Sequence, residues 1–227
     1  MKKIAVLIVI AAVCIIGCLS PKEKSNESIS FYKVPLVCGA APEIGCGSRI
    51  KPMFVATQKE KAVKEAWTNR EGTVIAIVWN DTNAANQQKI KDLFIANDID
   101  AELINDTSII KEQKASFRDK GRWYKGLEVD QLSIEEAGVI ARKTTSFALQ
   151  EGYIDSNAAS EIKQDIEKYF KAELVQVRTL DNLTSDSTQE RWKKQAYDIV
   201  VGHVGKEKAD KVVEAYETSL SEIKSCE

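Results

Sequence analysis

Residues 34–79 read VPLVCGAAPEIGCGSRIKPMFVATQKEKAVKEAWTNREGTVIAIVW, and this stretch decides the fold. From Gly47 onward, Ile50, Met53, Phe54 and Thr57 recur at spacings of three and four, which predicts an amphipathic helix. Ser48 is the expected N-cap, and Pro52 is expected in the first turn, where its missing N–H costs nothing. Val63 to Thr68 alternates apolar and polar residues, Thr73 to Trp79 is nearly all apolar, and Asn69-Arg70-Glu71-Gly72 separates them. That pattern predicts a β-hairpin. The second strand is apolar on both faces and is expected in the middle of a sheet.

Working outward, Phe31 to Val37 is short, β-branched and aromatic, with Pro35 arguing for an edge or a strand end. Cys38 to Gly45 reads as a turn-rich loop. Downstream, Asn86 to Ile95 places Ile90, Leu93 and Phe94 on one helical face, and Ala101 to Ile104 reads as a short strand. The order β-α-β-β-α-β predicts a ferredoxin-like split βαβ arrangement over residues 30–106.

Residues 107–128 are polar and basic without a clean period, and read as a linker. Residues 129–227 read as a helical domain of three to four helices. Ser133 and Glu136 suggest a capping box, which accounts for the Glu135-Glu136 pair, and Gly152 a helix stop. Asp155 or Ser156 begins a second periodic run, and Asn182 to Ser187 breaks the chain. Runs from Gln189 to His203 and from Ala209 to Ile223 follow. The expected class is therefore α+β, a βαββαβ unit followed by an all-α part. Trp67 and Trp79 are expected in the core, and Trp123 and Tyr124 in the packing of the helical bundle.

The chain opens Met1-Lys2-Lys3, followed by an apolar run from Ile4 to Ile16 and then Gly17-Cys18. This is the form of a secretory signal, too short to span a bilayer. Ile15-Ile16-Gly17-Cys18 resembles the lipobox of bacterial lipoproteins. The resemblance implies removal of residues 1–17, acylation of Cys18, and attachment to a lipid bilayer facing the periplasm or the exterior. Residues 18–29 are polar and read as a flexible tether. Without Lys2 and Lys3, the 32 basic residues of the chain become 30 against 34 acidic ones, a net charge of −4. With no basic block in the sequence, nucleic acid is not expected as a partner.

The run from Cys46 to Val78 resembles the heavy-metal-associated domain of copper chaperones and metal-pumping ATPases. Val63-Lys64-Glu65-Ala66-Trp67-Thr68-Asn69, followed by Gly72-Thr73-Val74, is similar to that family's second strand, turn and third strand. Cys46 stands at the position of its first metal-binding cysteine, and Arg49 stands where the second would be. The resemblance implies a ferredoxin-like fold, a soft-metal site beginning at Cys46, and a metal-handling or envelope protein as partner.

Cys38 is the nearest second thiol, and three chemistries fit the pair. A disulfide could staple the intervening loop. Two thiolates could hold Cu(I), Hg(II) or Zn(II), with the N-terminus of the helix and Arg49 favouring the negative charge. A redox-active pair is the third, although no Cys-x-x-Cys is present. The single histidine, His203, excludes a histidine-based zinc hydrolase and is expected as a satisfied residue near a helix end. No nucleophile elbow, phosphate loop or dinucleotide fingerprint occurs, so a non-enzymatic role is expected. Two functions remain at this level. One is a membrane-anchored protein binding a soft metal through Cys38 and Cys46. The other is a structural or interaction lipoprotein of the envelope with a Cys38–Cys46 disulfide.

Overall fold

The computed structural model describes residues 27–39 and 41–224. The signal, the lipobox and Cys18 lie outside them. The fold is mixed α+β. Its strands are β1 (Ile29–Lys33), β2 (Val37–Cys38), β3 (Ala41–Gly45), β4 (Val63–Asn69), β5 (Val74–Trp79), β6 (Glu102–Leu103) and β7 (Trp123–Lys125). Helices α1 (Gly47–Thr57), α2 (Ala84–Ala96) and α3 (Thr107–Ser116) belong to the first half. A 3₁₀ turn (Gly126–Val129) leads into α4 (Asp130–Gln150), α5 (Ser156–Gln176), the short α6 (Leu180–Thr184), α7 (Asp186–Val204) and α8 (Lys206–Lys224).

Five strands form one sheet in the order β6-β1-β5-β4-β7, with every neighbouring pair antiparallel. β5 lies at its centre and all six of its residues are buried, as its two-sided apolar character requires. The strand period of two divides them between two cores. Ile75, Ile77 and Trp79 pack with Ile50, Met53 and Phe54 of α1 and Ile90 and Phe94 of α2. Val74, Ala76 and Val78 pack on the opposite face with Phe31, Trp67 and Trp123.

That second face explains the largest departure from the sequence reading. The stretch 107–128, read as a linker, holds α3 and β7. Ile110 and Phe117 cover the second face, and Phe117 meets Phe31, Trp67 and Trp123 edge-on with ring centroids 5.2–5.9 Å apart. β7 adds itself to β4 through Asn69↔Trp123 and Thr68↔Tyr124. Trp123 is thus a sheet residue and does not pack in the helical bundle. An exposed apolar face of four strands would be unstable in water, and these two short elements close it.

Other corrections are local. The first strand ends at Lys33. Val34 and Leu36 instead donate their N–H groups to the carbonyls of Thr73 and Gly72 at 2.9 and 3.0 Å. Cys38 to Gly45 forms the β2–β3 ladder in place of an open loop. The N-cap of α1 is Cys46 in place of Ser48, and Pro52 falls inside the helix beyond its first turn. Residues 182–187, read as a break, overlap α6, whose Asn182 N–H is capped by Thr179 Oγ1 at 3.1 Å.

The C-terminal helices build a separate core from Ala141, Ala148, Ile162, Ile166, Val200, Ala209 and Val212. α1 touches both halves. Its Lys51 is fully buried, donates to the carbonyls of Leu174 (2.9 Å) and Val175 (3.0 Å) at the end of α5, and pairs with Asp130 at 2.5 Å. Burial lowers the Lys51 pKa, and the Asp130 carboxylate opposes that shift. Among the described residues no helix is long and apolar enough to cross a membrane.

Candidate functional site

The site forms where the β2–β3 hairpin meets the start of α1. Val37 pairs with Gly45 and Cys38 with Ala41, so the hairpin brings Cys38 back toward Cys46. Cys46 donates its N–H to the Leu36 carbonyl at 2.8 Å, and its own carbonyl accepts from Arg49 (3.1 Å) and Ile50 (3.0 Å) at the head of α1. Gly47 then allows α4 to come close. A Cβ there would lie 2.5 Å from the Val129 carbonyl oxygen and 2.6 Å from the Ser133 nitrogen. One helical turn beyond Ser133 on the same face stands Glu136.

Glu136 is 7% exposed, and its carboxyl is the centre of the cluster. Cys38 Sγ donates to Oε1 at 3.5 Å and Cys46 Sγ to the same oxygen at 3.4 Å. Ser48 Oγ lies 3.3 Å from Oε2 and 3.3 Å from Cys46 Sγ. Burial pushes the Glu136 carboxyl well above the usual carboxylate range, and the Cys46 sulfur beside it acts in the same direction. The neighbouring Cys38 thiol and burial raise the Cys46 thiol well above its ordinary value. Both shifts favour the uncharged forms of the Glu136 carboxyl and the Cys46 thiol.

Cys38 and Cys46 are free, with no disulfide between them. Arg49 does not reach them with its guanidinium. Its Nη2 donates to the carbonyl oxygen of Asp98 at 2.6 Å and to Asp98 Oδ2 at 2.7 Å, past the end of α2. His203 lies elsewhere, with Nε2 2.9 Å from Asp165 and Nδ1 3.4 Å from Glu161 on α5. Among the described residues no group of three or more His, Cys, Asp or Glu side chains has the arrangement of a metal site.

Glu136 is the residue the sequence reading missed, because Ser133-x-x-Glu136 has the form of a capping box. Both lie inside α4. A signal was present: Glu136 follows Leu132 by four and precedes Ile140 by four, so a carboxylate stands in the phase of an apolar stripe. Its neighbour Glu135 pairs with Arg70, which also donates to the Glu43 carbonyl at 3.2 Å and steadies the hairpin.

The cluster opens onto a cavity of about 730 Å³ between α4, α5, α7 and α8, lined largely by apolar side chains. Cys46, Ser48 and Glu136 form its polar end. No known protein family, curated protein or solved structure matches the chain.

Such a donor set favours one chemistry over another. Thiol–disulfide exchange works through a lowered thiol pKa, and Cys46 is shifted the other way. A thiophilic cation displaces thiol protons, and its charge compensates the thiolates that remain.

Proposed function

We propose that this chain is a binding protein in which Cys38 and Cys46 capture a soft, thiophilic species, and that it is held at a membrane surface through an acylated Cys18. The observation that carries the reading is that both free sulfurs contact one buried carboxyl oxygen, Glu136 Oε1. Two thiols without a histidine suit low-coordinate Cu(I) or Hg(II) better than a tetrahedral Zn(II) site, which takes four ligands. The strand order β6-β1-β5-β4, with α1 and α2 as the crossovers, supports a ferredoxin-like core related to heavy-metal-associated domains. In that reading Glu136 takes the place of the missing second helix ligand as the polar partner of Cys46. The apolar run before Gly17-Cys18 supports an extracytoplasmic location in the cell envelope. The proposed role is capture, with no substrate turned over.

The test is titration of the reduced full chain carrying Cys14→Ser, Cys18→Ser and Cys226→Ser, so that Cys38 and Cys46 are the only thiols. One equivalent of Cu(I) or Hg(II) is expected to bind, and Cys38→Ser or Cys46→Ser abolishes it. Stoichiometric binding that persists when both are serine overturns the proposal.

A further inference from the structure

A bare ion needs only the sulfurs, yet the cluster stands at the end of a cavity far larger than an ion. At about 730 Å³ the space lies in the range that encloses small organic molecules. Phe170, Leu174, Trp192, Val200 and Val213 supply its apolar lining from three helices, Cys46, Ser48 and Glu136 stand at one end, and Gln189, Lys193 and Lys194 line its α7 side. The body of a fitting ligand is therefore largely apolar, and its reactive head meets Cys46 at the cavity wall, with the buried Cys38 thiol behind it on the same Glu136 oxygen.

We infer that the species captured by Cys38 and Cys46 is an apolar monoorganyl compound of trivalent arsenic, its carbon substituent lodged in the cavity between α4, α5, α7 and α8. This rests on the two-thiol reading above and names the ligand class of that site. Three features of the chemistry agree with it. An R–As(OH)₂ molecule has two exchangeable oxygens, matching two sulfurs, and a third bond to carbon that points away from them. The R–As(OH)₂ molecule and its dithiol adduct are uncharged, which suits a cavity whose walls are largely apolar. In the step two S–H and two As–O bonds break, two S–As bonds form and two water molecules leave. Arsenic keeps its oxidation state. Each departing hydroxide needs a proton and each thiol loses one. The two thiol protons leave with the two hydroxides as water, and Glu136 Oε1, 3.5 Å from Cys38 Sγ and 3.4 Å from Cys46 Sγ, holds both sulfurs on one side of the site.

The experiment compares phenylarsine oxide with arsenite on the full chain carrying Cys14→Ser, Cys18→Ser and Cys226→Ser. Dithiothreitol serves as a free dithiol lacking any cavity. The protein is expected to prefer phenylarsine oxide over arsenite by at least about tenfold more than dithiothreitol does, since burial of one phenyl ring is worth that much or more. Ala196→Phe from α7 and, independently, Val213→Phe from α8 fill the cavity and return the preference to that of dithiothreitol, with arsenite binding unchanged. Two variants from different helices guard against one that fails to fold. A preference equal to that of dithiothreitol, or one that survives both fillings, overturns the inference while arsenite capture leaves the two-thiol reading standing. If neither arsenical nor Cu(I) nor Hg(II) binds, the two-thiol reading itself falls, and this inference with it.

Discussion

Replacing Glu136 with glutamine should stabilise the protein at neutral pH, and the sign follows from where the carboxyl sits. In the unfolded chain it titrates near 4.5, and in the folded chain well above that, because it is buried and lies beside the Cys46 sulfur, with the hydrogen bonds from Cys38 and Ser48 opposing the shift. Its folded pKa is raised, so its contribution is fully present below about pH 4.5 and is lost as pH rises toward the folded value. Over that window the native state holds a proton that the unfolded state has released. Stability then falls by about 1.4 kcal/mol per pH unit. The loss accumulates at that slope from about pH 4.5 for as long as the folded carboxyl keeps its proton. Glutamine keeps the shape and the hydrogen-bonding capacity but does not titrate.

Urea unfolding at half-unit steps from pH 4.5 to 7.5, followed by the fluorescence of the four tryptophans, measures the difference. The two proteins should be close at pH 4.5 and diverge as pH rises, with Glu136→Gln the more stable and the gap growing by up to about 1.4 kcal/mol per pH unit. Other shifted groups do not confuse the comparison. Glu65 and Asp106 have lowered pKa values, so their contributions disappear on acidification below about pH 4.5, in the opposite direction. Cys46 acts only above its ordinary value of 9.0. Parallel curves for wild type and variant would refute the upward shift of the Glu136 carboxyl.

Gly47→Ala drives a Cβ against the Val129 carbonyl and the backbone of Ser133, and should cost about 2 kcal/mol in urea unfolding while weakening Hg(II) capture; unchanged stability would show that α4 can retreat freely. Arg49→Ala should leave the reaction rate of the two thiols with a disulfide reagent within about twofold, because the guanidinium is committed to Asp98. A tenfold fall would restore the expectation that Arg49 activates Cys46. Cys18→Ser should move the protein from the membrane pellet to the soluble fraction on cell fractionation, since the proposed acyl anchor rests on that one residue. Retention in the pellet would argue for another mode of attachment.

Some of this molecule is plain in its residues. The hairpin Val63–Trp79, the helices at Gly47 and Asn86, and the long C-terminal helices follow from period and turn chemistry. In these segments local preference and tertiary packing ask for the same thing. The stretch 107–125 was misread because α3 contributes only Ile110 and the adjoining Phe117 to the second face of the sheet. Two apolar contacts leave no period in an otherwise polar run. β7 has three residues, too few for an alternation to register. The Cys38–Gly45 hairpin was hidden for a related reason, since a two-residue strand owes its ladder to the segment it meets.

The thiols themselves could be found from spacing, because Cys46 opens a helix and Cys38 ends a nearby extended segment. Their partner could not be found by the same route. Ser133 and Glu136 satisfy a local capping pattern, and only the approach of α4 to Gly47 carries Glu136 across to the sulfurs. Arg49 illustrates the converse, adjacent in sequence to the site and turned away from it by Asp98. Side-chain period and local chain geometry are enough for the class of fold, the central strand, and one thiol at the head of α1 with a second at the end of a nearby extended segment. The tertiary structure alone decided that the thiols share a buried carboxyl at the end of an apolar cavity. Burial and proximity across some ninety residues of chain are properties of packing, and no local pattern encodes them.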